Sequence, residues 1–382
     1  MRVPFTQREL ERLLARPVRQ LLTAADRRVF AGRRVLITGG GGSVGSELAR
    51  QVAECRPASL ILVDHSELAL FEILQELAEC APRVAVEPVL ADVCRAALMG
   101  RTILAASPDV VFHAAAYKHV AMVERDVCAA VSANVVGTMN VVRAAREAGA
   151  RFVLVSSDKA AAARSVMGAT KRLAECATLA EATPTFRPIV VRFGNILGSS
   201  GSLLAVLRDR VRRGLPLRIT DPEATRYLMT AGEAVSLMLK ADLLARRPEI
   251  YWLDMGDPVG IGDLTERLLA LESGAGYPRV PIEIVGLGPG EKRREELTTQ
   301  GLRMCRTAHR RIWTARQRFG DLAAIGRTIE RLRRLVARGE AEATLAQLVA
   351  SIPDFEASDE AWASARRQSA AASRRAPLRR IA

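Results

Sequence analysis

Between residues 33 and 156 short apolar runs alternate with longer amphipathic segments. RRVLIT (33–38), SLILVD (59–64), VAVEPVL (84–90), DVVFHA (109–114) and RFVLVS (151–156) are compact and nearly continuous in apolar residues, which reads as strands. SVGSELARQVAE (43–54), opened by a serine, and SELALFEILQELAE (66–79) carry their apolar residues at helical spacing. Strands of this kind separated by helices predict a parallel sheet, and right-handed crossovers then give a doubly wound α/β fold. The main α/β domain is placed over 33–190. Ahead of it, 1–32 reads as a helical lead-in with Leu10, Leu13 and Leu14 on one face. From about residue 185 the rhythm loosens and Gly, Pro and Ser rise in FGNILGSSGSLL and TDPEATRY. A smaller substrate lobe over 191–310 is predicted, partly interleaved with the main sheet. IYWLDMG (250–256) is a strand returning to that lobe or to the sheet. Residues 311–355 read as C-terminal helices and 356–382 as a basic tail without order.

Composition narrows the picture. The chain has 382 residues, 49% hydrophobic and 26% charged, as in a water-soluble globular protein. Aromatics make up 4%, so the core is built from Ala, Val, Leu and Ile, which suits a helix-covered parallel sheet. The net charge of +14 admits a nucleic-acid partner. However, the basic residues are dispersed and lack interleaved aromatics for base stacking, so no nucleic-acid partner is expected. The densest cluster is the tail, with Arg366, Arg367, Arg374, Arg375, Arg379 and Arg380. It reads as a solvated segment, with an anionic membrane surface as the other reading. Six cysteines (55, 80, 94, 128, 176, 305) have no metal-ligand spacing and read as reduced thiols, with no metal site expected. No signal-like segment opens the chain and no uncharged apolar stretch reaches spanning length. A cytoplasmic protein is expected, at most peripheral to the inner membrane face.

The first strand runs into TGGGGSVGSELARQ (38–51), where Gly39, Gly42 and Gly45 form G-x-x-G-x-x-G at the opening of a helix. Glycine lets the backbone turn tightly and brings a pyrophosphate onto the free N–H groups of the helix N-terminus. Asp64 ends the next strand, where a carboxylate accepts hydrogen bonds from ribose hydroxyls and repels a 2′-phosphate. NAD rather than NADP is the cofactor this predicts. The other reading of Asp64, the less favoured one, is a helix cap beside Ser66; Asp92, ending the third strand and expected near the adenine, is equally a turn residue. SSDKA (156–160) ends the strand RFVLV, so Ser157, Asp158 and Lys159 fall at the carboxyl edge of the sheet, where open α/β sheets bind ligands. Met167 and Lys171, four apart in VMGATKRL, share a helix face. Methionine cannot transfer a proton, so an adjacent acid and amine are the available acid–base groups.

TGGGGSVGSELARQ, LILVDHSE, DVVFHAAAYKHVAMVE, NVVGTMNV, SSDKA, MGATKR, VRFGNILGSSGS, DPEATRYLMT and PGEK together resemble the nucleotide-sugar 4,6-dehydratases of polysaccharide biosynthesis. The resemblance runs from about residue 30 to 350. It is closest to the UDP-N-acetylglucosamine 4,6-dehydratases of the extended short-chain dehydrogenase/reductase superfamily. There Met167 occupies the usual tyrosine position, as in the configuration-retaining branch. The resemblance implies NAD+-dependent oxidation at C4 of a UDP-sugar, loss of the C5 proton and the C6 hydroxyl, and return of hydride to C6, giving a UDP-2-acetamido-2,6-dideoxy-4-ketohexose. It makes Asp158 the acid at C6, Lys159 the base at C5 and Ser157 a partner of O4. Lys171 holds the nicotinamide ribose and Met167 packs by the ring.

The resemblance also sets the cofactor against Gly39, Gly42, Ser43, Val44, Gly45, Asp64, His65, Asp92, Val93, Ala114, Ala115, Ala116, Lys118 and Asn134. It sets the sugar nucleotide against Lys118, His119, Asn195, Ser202, Arg226 and Glu291. Several members of that branch carry membrane helices and a further domain ahead of this catalytic unit, and homo-oligomers are common in the superfamily through exposed helices. Two departures stand out. Ala162 and Ala163 replace an Asn-Pro pair, which predicts a looser loop, and Gly288 replaces an arginine before PGEK, which Arg293 or Arg294 would have to make good. Other readings are a 4-epimerase on the same scaffold, which needs no C6 acid, and a dinucleotide-binding protein without activity.

Overall fold

A computed structural model describes residues 5–19, 21–199, 201–297, 304–315 and 322–375; Ser200, Arg379 and Arg380 lie outside the described residues. Five parallel strands form where the apolar runs predict them, β1 (Arg34–Thr38), β2 (Ser59–Asp64), β3 (Val86–Leu90), β4 (Val110–His113) and β5 (Arg151–Val155), and a sixth, β6 (Ile189–Arg192), forms where the rhythm loosens. Their spatial order is β3-β2-β1-β4-β5-β6, the doubly wound order, with the reversal between β1 and β4. β3 is the outer strand of this half; its Pro88 has no N–H to donate, which an edge tolerates. The strands in the middle are buried on both faces. Leu36, Val111 and Phe152 face one core, and Val35, Phe112 and Val153 face the other. His113 ties the layers together, with Nδ1 2.6 Å from Thr38 Oγ1 and Nε2 3.0 Å from Thr138 Oγ1. Burial lowers its pKa to about 3, so it is neutral.

The strand at 250–256 goes to the main sheet. Ile250–Leu253 pairs parallel to β6, and two antiparallel strands, Ile312–Ala315 and Met304–Arg306, extend that edge. These two came from a region read as lobe and helix, because a short strand whose pairing partner is far away in the chain has no local signature. The lobe itself packs helices Leu203–Arg212 and Ile261–Gly274 over a core of Leu204, Leu207, Leu217, Ile219, Leu264 and Leu268. The lead-in is part of it: Leu13 and Leu14 of helix Gln7–Leu14 are buried there, and Arg16 pairs with Glu233 at 2.7 Å.

The segment after 356 departs from expectation. Residues Asp359–Arg375 form a helix that buries Ala361 and Ala365, and the Ser358 hydroxyl donates to Glu124 at 2.7 Å. Small alanines between arginines give a helix face that can pack closely, which a composition-based reading of disorder overlooks. Helices Leu322–Arg338 and Ala341–Ser351 pack over the helices at 127–147 and 166–180. Val127–Glu147 is the one helix among the described residues long and apolar enough to cross a membrane, and 72% of its apolar window is buried inside the protein. The six cysteines are unpaired, and no cluster of metal-ligating side chains occurs among the described residues.

Candidate active site

At the carboxyl ends of the strands two cavities open side by side, of about 370 and about 690 Å³. The smaller is bordered by Gly39, Gly42, Ser43, Asp64, His65, Asp92, Val93, Ala114, Ala115, Ala116 and Lys118. Its floor is a backbone cradle. Gly39 has φ +70°, and a Cβ on it would lie 2.7 Å from Ala115 N. A Cβ on Gly45 would lie 1.9 Å from Gly39 O, so only glycine lets the helix Ser43–Glu54 start this close to the turn. Gly42 caps that helix without a side chain. Asp64 is buried at 7% exposure and accepts from Gly41 N and Ser66 N, both at 2.9 Å. It therefore fixes the glycine turn and the residue that starts the next helix while still bordering the cavity; the cap of that helix is Ser66, whose hydroxyl accepts from Ala69 N. Asp92 likewise accepts from Cys94 N at 2.8 Å, a turn contact, at the cavity edge. A helix N-terminus capped by glycine, with a carboxylate bordering the same cavity, is the donor and acceptor set that a dinucleotide's diphosphate and ribose require, so the residues fit NAD.

The larger cavity continues from Gly42, Ser43, Val44 and Gly45 past Lys118 and His119 to Ser157, Lys159, Met167, Lys171, Asn195, Ser202, Arg226 and Glu291. Helix Val166–Ala180 brings Met167 and Lys171 to its wall, capped by the Ser165 hydroxyl accepting from Gly168 N at 3.1 Å. Gly168 has a steric reason: a Cβ there would lie 2.5 Å from Lys159 O, so the helix rests directly on the Asp158–Lys159 turn. Lys171 Nζ donates to Val155 O at 3.0 Å. Burial lowers its pKa to about 8, with the Glu175 charge opposing. His119 packs under Gly201, and its pKa is lowered by burial and then by Lys118, which favours the neutral ring.

Two expected residues stand elsewhere. Asp158 does not reach the cavity wall. The turn Asp158–Ala160 points its carboxylate inward at 0% side-chain exposure, where Oδ1 accepts from Ser157 Oγ at 2.8 Å and Oδ2 has no partner. Asn134, expected against the cofactor, is 1% exposed behind the wall. Its Oδ1 accepts from Tyr117 N at 2.8 Å, and its Nδ2 donates to Tyr117 O and Thr170 Oγ1. It sits in a π-helical turn, Ser132–Gly137, and locks the 114–118 loop that borders both cavities. The loop with Ala162 and Ala163 is packed rather than loose, since Ala160, Ala161 and Ala163 are buried. Arg293 does not replace the missing arginine, because its guanidinium pairs with Asp221 at 2.8 Å and with Glu223.

Lys159 is more heavily engaged than the Asp-Lys pair suggested. Its Nζ lies 3.3 Å from Asp158 Oδ1, 2.9 Å from Asn195 Oδ1 and 3.0 Å from Glu295 Oε1. Burial works against the ammonium, but the Asp158 and Glu295 charges outweigh it and raise the pKa above the ordinary lysine value, while Arg226 opposes them. Glu295 and Arg164, both bordering the larger cavity, went unrecognised in the sequence. Glu295 sits in a charge run, RREE, and Arg164 ends an alanine run, AAAR, and neither carries a spacing signal.

Fold and cleft define a Rossmann-type α/β protein whose cavities lie at the topological switch point and over the adjoining strand ends. A family model described as polysaccharide biosynthesis protein matches residues 35–317, and the chain belongs to that family. It is 41% identical over 293 residues to capsular polysaccharide biosynthesis protein CapD of Staphylococcus aureus, covering 76% of this chain and 49% of that protein. It is 40% identical over 324 residues to probable polysaccharide biosynthesis protein EpsC of Bacillus subtilis, covering 84% and 54%. The chain thus spans about half the length of these curated relatives. Among solved structures, the X-ray structure of Pen from Bacillus thuringiensis superposes with a TM-score of 0.68 at 27% identity, covering 76% of this chain and 88% of that one.

Proposed function

We propose that the protein is an NAD-dependent nucleotide-sugar 4,6-dehydratase acting on UDP-N-acetylglucosamine, with retention at C5, in the synthesis of a bacterial polysaccharide. The observation that carries this reading is the Asp158–Lys159 pair, 3.3 Å apart, with Lys159 bordering the larger cavity beside Met167. Elimination of water takes one proton from C5 and delivers one to the departing C6 oxygen. A contiguous amine and carboxyl sharing one proton match that need. An epimerase moves a proton only at O4, and gains nothing from such a pair. Membership of the polysaccharide biosynthesis family and the likeness to CapD support the pathway class.

The nicotinamide cofactor, when bound, supplies a reversible two-electron oxidation of the sugar at C4. Gly39, Gly42, Ser43, Gly45 and Asp64 would hold its adenosine and diphosphate portion, and Lys171 its nicotinamide ribose. Once C4 is a ketone the C5 proton is acidic, and Lys159 Nζ is the group placed to take it. Because Asp158 is buried, its proton would reach the C6 hydroxyl through Ser157 Oγ, which borders the cavity and contacts Asp158 Oδ1. Lys159 would return its proton to C5 when C6 is reduced, and the proton lost from O4 on oxidation would restore Asp158, so each proton taken is given back. Met167 excludes water beside the ring without moving a proton. Arg226 and Arg164 supply the cavity's guanidinium charge for a diphosphate.

The test is incubation of the purified protein with UDP-N-acetylglucosamine and no reductant, followed by mass spectrometry. Loss of one water is expected, reduced by roughly 10²-fold or more in Lys159→Ala and Asp158→Asn. An unchanged mass with a new C4 stereoisomer by NMR refutes the dehydratase in favour of the epimerase.

A further inference from the structure

An ammonium has three donors and no acceptor. On Lys159 the three are taken by Asp158 Oδ1, Asn195 Oδ1 and Glu295 Oε1. A base must present a lone pair, so one of these contacts has to open before Lys159 can accept a proton. The three partners differ in what holds them. Asp158 is 0% exposed in a turn clamped under the helix at Gly168. Asn195 lies in a strand, Asn195–Ile196, that pairs with Leu228–Met229. Glu295 stands on the 286–297 segment, which has no regular secondary structure and also lines the larger cavity. Its side chain is 4% exposed, so the contact is enclosed rather than a surface ion pair. Glu295 and Lys159 line the same cavity, so a sugar that fills it meets the contact between them.

We infer that Glu295 is a positioning residue that caps Lys159, keeping the proton shared with Asp158 on the amine until substrate takes the place of the Glu295 carboxylate. The inference rests on the dehydratase reading for its catalytic meaning, but the contact itself is testable without turnover. Displacing Glu295 removes one of two negative charges from the ammonium and frees one donor. Proton transfer from Lys159 Nζ to Asp158 then leaves a neutral amine facing C5 and a protonated carboxyl touching Ser157, with no proton gained or lost. Other charged groups of the cavity do not take over the cap. Arg226 is a cation that opposes the ammonium, Glu291 accepts from Gly288 N at 3.1 Å, and Lys292 pairs with Glu296 at 3.3 Å. Lys118, His119, Arg164 and Lys171 line the same cavity and are cationic or neutral.

The experiment is competitive acylation of lysines across alkaline pH, read by mass spectrometry on the peptide holding Lys159, in the wild type, Glu295→Gln and Glu295→Asp. Glu295→Gln keeps the size and a hydrogen-bonding oxygen but removes the charge. Its Lys159 midpoint should fall by about one pH unit, the ordinary effect of an opposite charge at contact distance. Glu295→Asp should restore most of that fall. In the same variants the alkaline limb of kcat/KM for water loss should move down with the midpoint. A residue that merely braced the fold would lower the rate and leave both midpoints in place. An unchanged Lys159 midpoint in Glu295→Gln overturns the inference. If the wild type produces no dehydrated sugar while the labelling midpoint moves as stated, the dehydratase reading fails and the cap stands.

Discussion

Replacing Glu175 by alanine should remove a large part of the protein's stability. Glu175 and Arg192 are both fully buried, Glu175 on the helix Val166–Ala180 and Arg192 at the end of β6. Arg192 Nε donates to Glu175 Oε1 at 2.5 Å, Nη2 donates to Oε2, and Ser156 Oγ donates to Oε1 at 2.6 Å. Arg192 Cζ also lies 4.5 Å from the centroid of the buried Trp252 ring, and its Nη1 has no hydrogen-bond partner. Glu175→Ala therefore leaves a guanidinium in a dry interior with no counter-charge, which costs about 3–5 kcal/mol. Native stability is typically about 5–15 kcal/mol, so the loss is decisive.

The assay is urea unfolding followed by circular dichroism, with the free energy extrapolated to water. Glu175→Met combined with Arg192→Met should recover more than half of the loss, because the fully buried Arg192 charge goes with its partner, leaving only the weaker 3.5 Å contact of Arg172 unmet. The pH dependence has a fixed sign. Burial raises the Glu175 pKa, but the Arg192 charge and hydrogen bonds outweigh it and hold it below the ordinary carboxylate value. Its contribution is therefore complete above that value, roughly 4.3, and fades as pH falls through the lower folded value. A loss under about 1 kcal/mol in Glu175→Ala, or a double variant no more stable than the single one, refutes the reasoning. Since Ser156 directly precedes Ser157 and Asp158, the same variant should also lose water-elimination activity.

Three further outcomes follow. Gly45→Ala forces its new methyl against Gly39 O, so the helix must retreat from the turn and NAD affinity by calorimetry should fall about 10–100-fold, equivalent to roughly one charge-assisted hydrogen bond. Retained affinity would show that the turn does not bind the diphosphate. Asn134→Leu leaves the Tyr117 backbone unpaired and should cost about 1–3 kcal/mol in urea unfolding while weakening NAD, whereas a residue that only contacted the cofactor would weaken NAD and leave stability unchanged. Deleting 356–382 uncovers the residues that Ala361 and Ala365 pack against and removes the Ser358 bond to Glu124. The melting temperature should drop by several degrees, where loss of an unstructured tail would leave it unchanged.

Chain-local physics determined much of this protein. Buried parallel strands need runs of apolar residues, so β1, β2, β4 and β5 were legible to within a residue or two from RRVLIT, SLILVD, DVVFHA and RFVLVS. That the glycine turn, Asp64, Lys159, Met167 and Lys171 border the cleft was legible too, because their spacing follows from the strand–turn–helix unit that presents them. Tertiary structure decided what depends on contacts between distant segments. The edge strands at 304–306 and 312–315 exist because Ile250–Leu253 offers them a partner. Asp158 and Lys159 are adjacent in sequence, yet the turn they share sends one carboxylate into the core and leaves the amine at the cleft. Glu295, 136 residues after Lys159 by numbering, meets that amine only because the lobe folds back over the strand ends. Two like residues in a charge run look identical along the chain. Burial and a charge brought from elsewhere are what separate Glu295 from the exposed Glu296 beside it.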